Sequence, residues 1–268
     1  MERVQLFEFE DLPWFPQVVR EHMTDFLSFL GQRSKNMYAG FAERLAAAMA
    51  VTGDDTLLDL CSGGGGPALA IAELLRGHRS CPPRVLLTDL YPNLPRLERA
   101  WRDGSGRVEF RHLPVDATQV PESLRGFRLI CNAFHHFPPE AARKCLADAV
   151  KQRQGIAIVE MVDRSATSLF GVTFGTSTLL ALTPFIRPVR VSRLLLTYLV
   201  PVVPLCTWWD GVVSCLRAYH PQELEELVAD LPENGYKWEI GRLPIPNAPT
   251  SLIYLIGYPE RRDTQSLT

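Results

Sequence analysis

The feature that most constrains this chain is a short apolar strand that ends in an acid and runs into a cluster of glycines. Residues 56–60 read Thr-Leu-Leu-Asp-Leu, and four consecutive glycines occupy 63–66 before an apolar helix predicted over 67–76. A glycine loop between a strand and a helix lets a ligand approach the backbone closely, because no Cβ intervenes. The pattern therefore predicts a nucleotide-type site at the carboxyl edge of a parallel sheet.

A second apolar strand, predicted over 84–88, ends in Asp89, which follows Asp59 by 30 residues. An acid at this place can accept hydrogen bonds from ribose hydroxyls. A dinucleotide would instead need G-x-G-x-x-G spacing, with its pyrophosphate on the helix N-terminus. Position 68 is not glycine, and Pro67 lacks the N–H that a phosphate would use. We therefore predict no NAD or NADP site.

Apolar strands alternate with helical segments through the middle of the chain, which predicts a parallel sheet with helices on both faces. A further helix is expected from Pro221 to about 231, and a seventh strand is expected to return antiparallel. The predicted strands are 56–60, 84–88, 107–112, 127–132, 155–160, 236–242 and 251–258, and the helices between the first five are 67–76, 93–102 and 139–151.

Four segments, in order, resemble the class I S-adenosylmethionine (SAM) methyltransferase family. Asp59-x-Cys61-x-Gly63-x-Gly65 resembles its first motif, with Cys61 where that family usually has glycine. Residues 115–117 resemble the motif that reads the adenine, 129–137 the fourth strand with its loop, and 155–160 the fifth strand. The resemblance covers residues 40–162 well, and residues 220–258 by architecture.

The resemblance implies an α/β fold with a Rossmann-like, seven-strand, mostly parallel sheet and helices on both faces. An N-terminal helical cap precedes the sheet, and an apolar helical insert follows strand five. The predicted units are the cap (1–50), the SAM-binding core (51–162), the apolar lid insert (163–219), and the C-terminal helix with the last two strands (220–268).

The resemblance also implies how SAM would be held. The loop with Cys61, Gly63 and Gly65 would hold the methionine end, and Asp59 would meet its amino group. The other implied contacts are Asp89 with the ribose hydroxyls, Leu90 with the adenine face, Asp116 with the adenine amino group, Ala117 as a backbone donor, and Asn132, Ala133 and Phe134 as the floor below the sulfonium.

His135 and His136 follow the fourth strand, where a family member opens toward its substrate, and either is a candidate general base near neutral pH. Alternatively, one packs on the cofactor and the other caps the helix predicted over 139–151. Neighbouring side chains of an extended segment face opposite ways, so the two are not expected to face the substrate together. No carboxylate cluster accompanies them in the sequence, and we predict no metal site.

Two acids are further catalytic candidates. Glu160 ends strand five on the substrate side, and its alternative role is a solvated or ion-paired acid. Asp210 stands in an apolar run, so it either contacts substrate or forms an ion pair with Arg217 or Arg193.

The insert is unusually apolar. Residues 165–186 and 194–209 carry no charge, and the segment between them holds Arg187, Arg190 and Arg193. Three alternatives remain open: a buried helical insert over the active site, a lid that dips into a membrane surface with these arginines at lipid phosphates, and a transmembrane segment. Its aromatic side chains form either core or a cage for a cationic amine.

Composition narrows the function classes. A net charge of −2 argues against electrostatic binding to nucleic acid. The acidic N-terminus is unlike an export signal, which carries positive charge. The six cysteines include no C-x-x-C pair, which favours reduced thiols and a cytoplasmic protein, with membrane association as the alternative. No oligomeric state is predicted.

Together these features predict a SAM-dependent methyltransferase that acts on a hydrophobic or aromatic small molecule through an oxygen, nitrogen or carbon acceptor. The alternatives are a peripheral membrane methyltransferase acting on a lipid or quinone, and a non-catalytic SAM-binding interaction protein.

Overall fold

The computed structural model describes residues 1–33, 35–79, 81–104, 106–231, 235–246 and 248–260, except for the side chain of Gln32. Residues 261–268 of the predicted C-terminal unit lie outside the described residues. So does position 247 of the loop between the last two strands.

Seven strands form one sheet in the order β3-β2-β1-β4-β5-β7-β6. The first five strands pair in parallel, and β7 runs antiparallel to both β5 and β6. This confirms the predicted mostly parallel sheet with an antiparallel last strand. The strands are β1 (Thr56–Asp59), β2 (Arg84–Leu87), β3 (Val108–Phe110), β4 (Phe127–Cys131), β5 (Ile156–Glu160), β6 (Tyr236–Pro244) and β7 (Ser251–Pro259).

The described residues include nine α-helices, and Gly53 ends the second of them in the left-handed conformation (φ 78°), as its sequence position indicates. The helices are α1 (Gln17–Arg33), α2 (Ala39–Thr52), α3 (Gly66–Leu75), α4 (Leu94–Asp103), α5 (Pro139–Lys151), α6 (Ala166–Leu182), α7 (Val191–Leu194), α8 (Val202–Arg217) and α9 (Pro221–Ala229). A π-helical turn, Leu195–Leu199, follows α7.

The sheet separates two apolar cores because successive side chains of a strand face opposite sides. Leu57 belongs to the core formed with helices α2, α3 and α4, whereas Leu58 belongs to the core formed with α5 and α9. Both leucines are fully buried. This arrangement covers the sheet on both faces and leaves the carboxyl ends of the parallel strands for a binding site.

The N-terminal cap and the insert pack on each other in a third core. Phe15, which precedes α1, and Val19 and Met23 of α1 share this core with Val203 of α8 and Leu179 of α6. Helix α1 also lies against α3, directly beside the glycine loop. The cap and the insert therefore cover the carboxyl edge of the sheet together.

The outer layer of the insert differs from the predicted buried insert. The segment Ala166–Phe185 is long and apolar enough to cross a membrane, yet only 17% of its most apolar stretch is buried. Phe170 and Phe174 are stacked on its surface, 71% and 65% exposed. A second apolar pair, Val191–Leu199 and Val202–Arg217, is bent by 75° at its break. Helix α8 lies on the inner side of the insert, and α6 contributes Leu179 to the core shared with the cap.

A buried ionic network joins the cap, the core and the insert. Asp25 of α1 lies between Arg96 of α4 and Arg193 of α7, with its Oδ2 2.8 Å from Arg193 Nη1. Arg190 pairs with Glu21 of α1 at 2.8 Å. These contacts correct the suggestion that all three insert arginines reach lipid phosphates: Arg193 is 1% exposed and Arg190 is paired, whereas Arg187 is exposed.

Candidate active site

The glycine loop and Asp89 meet at the carboxyl edge of the sheet. Asp89 follows β2, and its Oδ2 accepts a hydrogen bond from the N–H of Gly63 at 2.8 Å. Its Oδ1 accepts from the N–H of Tyr91 at 2.8 Å. Because each carboxylate oxygen has a second lone pair, both oxygens retain acceptor capacity for ligand hydroxyls.

Helix α1 of the N-terminal cap also packs against the glycine loop. A Cβ on Gly64 would lie 2.4 Å from Arg96 Nη1 and 2.8 Å from Ser28 Oγ, and a Cβ on Gly65 would lie 2.9 Å from Leu87 Cδ1. Gly65 has φ 72°, a conformation that favours glycine. The absence of a side chain at these two positions thus lets the loop pack closely against α1, α4 and β2.

Asp59 is 2% exposed at the end of β1. Burial raises the pKa of its carboxyl to about 8, with the nearby negative charge of Asp89 adding to the effect. The group is therefore protonated near pH 7, and a cationic amino group placed beside it would favour its ionised form.

Two non-glycine residues at this edge adopt the left-handed conformation. Cys61 has φ 61°, which explains the glycine that the family usually has there. Burial raises the pKa of the Cys61 thiol, so the thiol is neutral. Asn132 has φ 51°, its Nδ2 donates to Tyr38 Oη at 3.0 Å, and its Oδ1 accepts from the N–H of Met161 at 2.8 Å. Asn132 thereby ties the ends of β4 and β5 together.

The predicted adenine side lies at the surface. Leu90 is 43% exposed and Asp116 is exposed, whereas Ala117 is buried. Asp116 Oδ1 accepts from the N–H and the hydroxyl of Thr118, at 2.8 and 2.7 Å, so it stabilises its own turn. The N–H of Val115 bonds the carbonyl of Asp89 at 2.9 Å, which places this turn beside the ribose-side acid.

Phe134 differs from its predicted place on the floor of the site. Its side chain is fully buried in the core, 5.5 Å from the ring of Tyr219, so it lines no open surface. Its N–H instead donates to Glu160 Oε1 at 2.7 Å. Ala133, half-buried, precedes the 3₁₀ turn that begins at Phe134.

The two histidines correct a prediction. The segment after β4 is a 3₁₀ turn, Phe134–His136, rather than an extended chain. The rings of His135 and His136 consequently lie side by side, with centroids 4.4 Å apart and planes inclined by 31°. Both can therefore act at one place.

Glu160 is a buried partner of this turn rather than a solvated acid. It is 3% exposed at the end of β5, and its Oε2 lies 2.8 Å from His135 Nδ1. Its Oε1 accepts from the N–H groups of Phe134 and His135 at 2.7 and 3.2 Å. Since a carboxylate only accepts hydrogen bonds, His135 Nδ1 is the donor. Glu160 orients His135.

The N-terminal segment supplies two acids that the sequence did not assign to the site. Glu8 is 2% exposed, and its Oε1 and Oε2 lie 3.8 Å from His135 Nε2 and 3.7 Å from His136 Nε2. Asp11 Oδ1 lies 2.9 Å from His136 Nδ1. Arg217 Nη1 contacts Glu8 Oε1 at 3.2 Å and Asp11 Oδ2 at 2.7 Å.

These contacts overturn the premise behind the predicted absence of a metal site. Carboxylates do surround the histidine pair, but they come from distant parts of the chain. We call Glu8, Asp11, His135, His136 and Glu160 the His–acid cluster. Local spacing gave no sign of it, and the only signal was the acidic run at residues 8–11, which has no amphipathic pattern of its own.

Asp210 contacts neither Arg217 nor Arg193 as an ion pair. It accepts from the N–H groups of Phe9 and Glu10, at 2.7 and 3.1 Å, and so caps the 3₁₀ turn that carries the N-terminal acids. Arg217 and Arg193 are engaged with Glu8 and Asp25 instead. Burial raises the pKa of Asp210 to about 6. Its role is to hold the N-terminal segment on α8.

Comparisons with known proteins agree with this architecture. No protein-family model matches the sequence, and no curated protein matches it. Among solved structures, the chain is similar to the plantazolicin methyltransferase BpumL in complex with SAH, at 13% identity and TM-score 0.52, covering 91% of this chain and 88% of that one. The plantazolicin methyltransferase BamL, in complex with a triazolic desmethylPZN analog and SAH, gives 12% identity, TM-score 0.51, and coverage of 90% and 98%.

The mitomycin 7-O-methyltransferase MmcR aligns at 16% identity and TM-score 0.46, over 84% of this chain. The present chain spans only about half (54%) of that protein's length. At these identities the likeness concerns the fold. The chain has the class I methyltransferase fold.

Proposed function

We propose that this protein is a SAM-dependent methyltransferase that methylates a hydrophobic or aromatic small molecule. The observation that carries the proposal is the meeting of the glycine loop with Asp89 at the carboxyl edge of β1 and β2. In an open α/β sheet this edge is where ligands bind. The fold is similar to those of BpumL and BamL, whose structures contain SAH.

In this proposal the loop and Asp59 hold the methionine end of SAM, and Asp89 holds the ribose. The acceptor lies on the insert side of the sheet edge. There α8 contacts the turn after β4, which carries the two histidines of the His–acid cluster. Methyl transfer is an in-line displacement. Aligning the acceptor with the methyl group and excluding water matter more than chemical activation of the acceptor. If the acceptor carries a proton, His136 is the better-placed base, because its side chain is 27% exposed and that of His135 is 4% exposed.

Thermal unfolding with SAM, SAH or NADPH tests the cofactor. Ligand at about 100 times its Kd stabilises a protein by about 2.7 kcal/mol, which raises the melting temperature by several degrees in a chain of this size. We expect this rise with SAM and SAH and none with NADPH. A rise with NADPH but not with SAM would refute the assignment.

A membrane-borne acceptor is a second candidate, favoured by the exposed apolar surface of the insert. No acid occurs from Arg164 to Trp209, and Phe170, Phe174 and Leu199 are 71%, 65% and 74% exposed. Exposed apolar side chains in a segment that lacks negative charge suit the interface of an anionic bilayer better than water. The insert would then draw a lipid or quinone toward the His–acid cluster.

Co-sedimentation with phosphatidylglycerol-containing vesicles tests this second candidate. We expect the wild type to pellet with vesicles and the double variant Phe170→Ser/Phe174→Ser to lose most of that binding. Leu113→Ser removes an equally exposed apolar side chain (77%) outside the insert and should bind as the wild type does. A wild type that stays in the supernatant would rule out the membrane-borne route and leave the soluble acceptor.

A further inference from the structure

We infer that the His–acid cluster is a binding site for one divalent transition metal of the zinc type, with Glu8, His135 and His136 as ligands. The inference is independent of the proposed methyl transfer. One ligand atom from each of the three residues lies within 4.8 Å of the others. Two imidazoles and a carboxylate form a donor set typical of zinc and related metals.

The distances between these atoms fit a shared ion better than direct hydrogen bonds. His135 Nε2 and His136 Nε2 lie 3.8 and 3.7 Å from different oxygens of Glu8, beyond the hydrogen-bond range. Ligand atoms at about 2.0–2.1 Å from a tetrahedral zinc are roughly 3.3 Å apart, so small side-chain movements close the site. His135 Nε2 is buried and has no hydrogen-bond partner.

The tautomers of both imidazoles are set for metal binding. His135 Nδ1 donates to Glu160 at 2.8 Å, and His136 Nδ1 donates to Asp11 at 2.9 Å. In a neutral ring, a protonated Nδ1 leaves the lone pair on Nε2, which here faces Glu8. A carboxylate behind each ligating histidine is the usual support of a protein metal site.

The charges of the site also suit a dication. Glu8, Asp11 and Glu160 carry three negative charges when ionised, and Arg217 balances one through its contacts with Glu8 and Asp11. Arg3 directs its guanidinium to the carbonyls of His135 and Phe137. The three acids outnumber these two arginines, so the ionised site keeps a net negative charge that favours a cation.

Three protein ligands leave a coordination position open. A bound metal would occupy Nε2 of both histidines, so His136 could serve as a base only in the metal-free protein. Glu8, from the N-terminal segment, completes a site whose other two ligands come from the loop after β4, so binding also fastens that segment to the core.

Zinc binding to the chelator-treated full chain tests the inference. We expect one zinc per chain by calorimetry and elemental analysis, with Glu8→Gln and His135→Asn weakening the affinity at least 100-fold. Asp11→Asn alters the support of His136 and a contact with Arg217, and it should weaken the zinc affinity about 10- to 100-fold. His112→Asn changes an exposed histidine outside the cluster and should leave the affinity unchanged. Zinc binding that is equal in all variants, or absent in the wild type, would overturn the inference.

A second measurement needs no variant and so does not depend on variant folding. A crystal of the wild type soaked in zinc should give an anomalous difference peak between Glu8 and the two imidazoles. A peak only at cysteines, or none, would contradict the site.

Discussion

Replacing Asp89 with alanine should weaken SAM binding roughly 100-fold or more. Two hydrogen bonds from ribose hydroxyls to a carboxylate are lost, each worth about 1.5–3 kcal/mol. The variant also frees the N–H of Gly63, which Asp89 Oδ2 now holds at 2.8 Å, so the loop that would grip the methionine end is less well fixed. Calorimetric titration of SAM into both proteins measures the change.

Two controls separate ligand contact from damage to the loop. Glu122→Ala removes an exposed acid away from the loop and should bind SAM as the wild type does. Asp89→Asn keeps an acceptor for the N–H of Gly63 but loses the charge, so its affinity should fall between those of the wild type and Asp89→Ala. Equal SAM affinity in Asp89→Ala and the wild type would remove Asp89 from the cofactor site.

Replacing Asp25 with asparagine should lower the free energy of unfolding by about 3–5 kcal/mol, because it leaves Arg96 and Arg193 buried without their counter-charge. Urea denaturation measures the loss. The matched control is Glu73→Gln, which breaks an exposed pair with Lys35 and should cost no more than about 1 kcal/mol. A loss at Asp25 no larger than the control's would mean that the network does not hold the cap and the insert on the core.

The same residue predicts how stability depends on pH. Burial opposes ionisation of Asp25, but His22 and the arginines outweigh it and lower the pKa of this carboxyl. A lowered folded-state pKa means that the stabilisation is fully present above the unfolded value of about 3.9 and is lost as the pH falls through the folded value. The difference between the wild type and Asp25→Asn should therefore shrink only in acid, below about pH 4.

The sheet was predictable because each strand carries its own signal. Short, mainly apolar runs separated by helical segments specified β1, β2, β4 and β5 to within a residue or two. Strand β3 is three residues long, shorter than predicted, because its pairing with β2 is confined to Val108–Phe110.

The His–acid cluster was not predictable in this way because its members contact one another across large separations in sequence. Glu8 and His136 are 128 positions apart in the chain. Nothing in an acidic N-terminal run indicates that Asp210 will cap it and Arg217 will pair with it. The histidine pair was misjudged for a local reason: a 3₁₀ turn, rather than an extended segment, follows β4.

The exposure of the insert's outer layer was not predictable for a third reason. The lack of charge in residues 165–186 correctly indicated an apolar helix, but composition does not say what covers it. The structure packs α8 inward and leaves Phe170 and Phe174 of α6 on the surface. An apolar sequence predicts that its surface is shielded from water. Only the packed structure shows whether other parts of the same chain provide that shield.

Transfer of label from methyl-labelled SAM tests the central claim most directly. The wild type, Asp89→Ala and Glu122→Ala would each be incubated with labelled SAM and an organic extract of the cells that produce the protein. We predict that label enters a compound of the organic phase with the wild type and Glu122→Ala, and that Asp89→Ala gives almost none at SAM concentrations near the wild-type Kd. Saturable SAM binding without label in any acceptor would contradict catalysis and leave a SAM-binding protein, and a wild type that does not bind SAM would contradict the account as a whole.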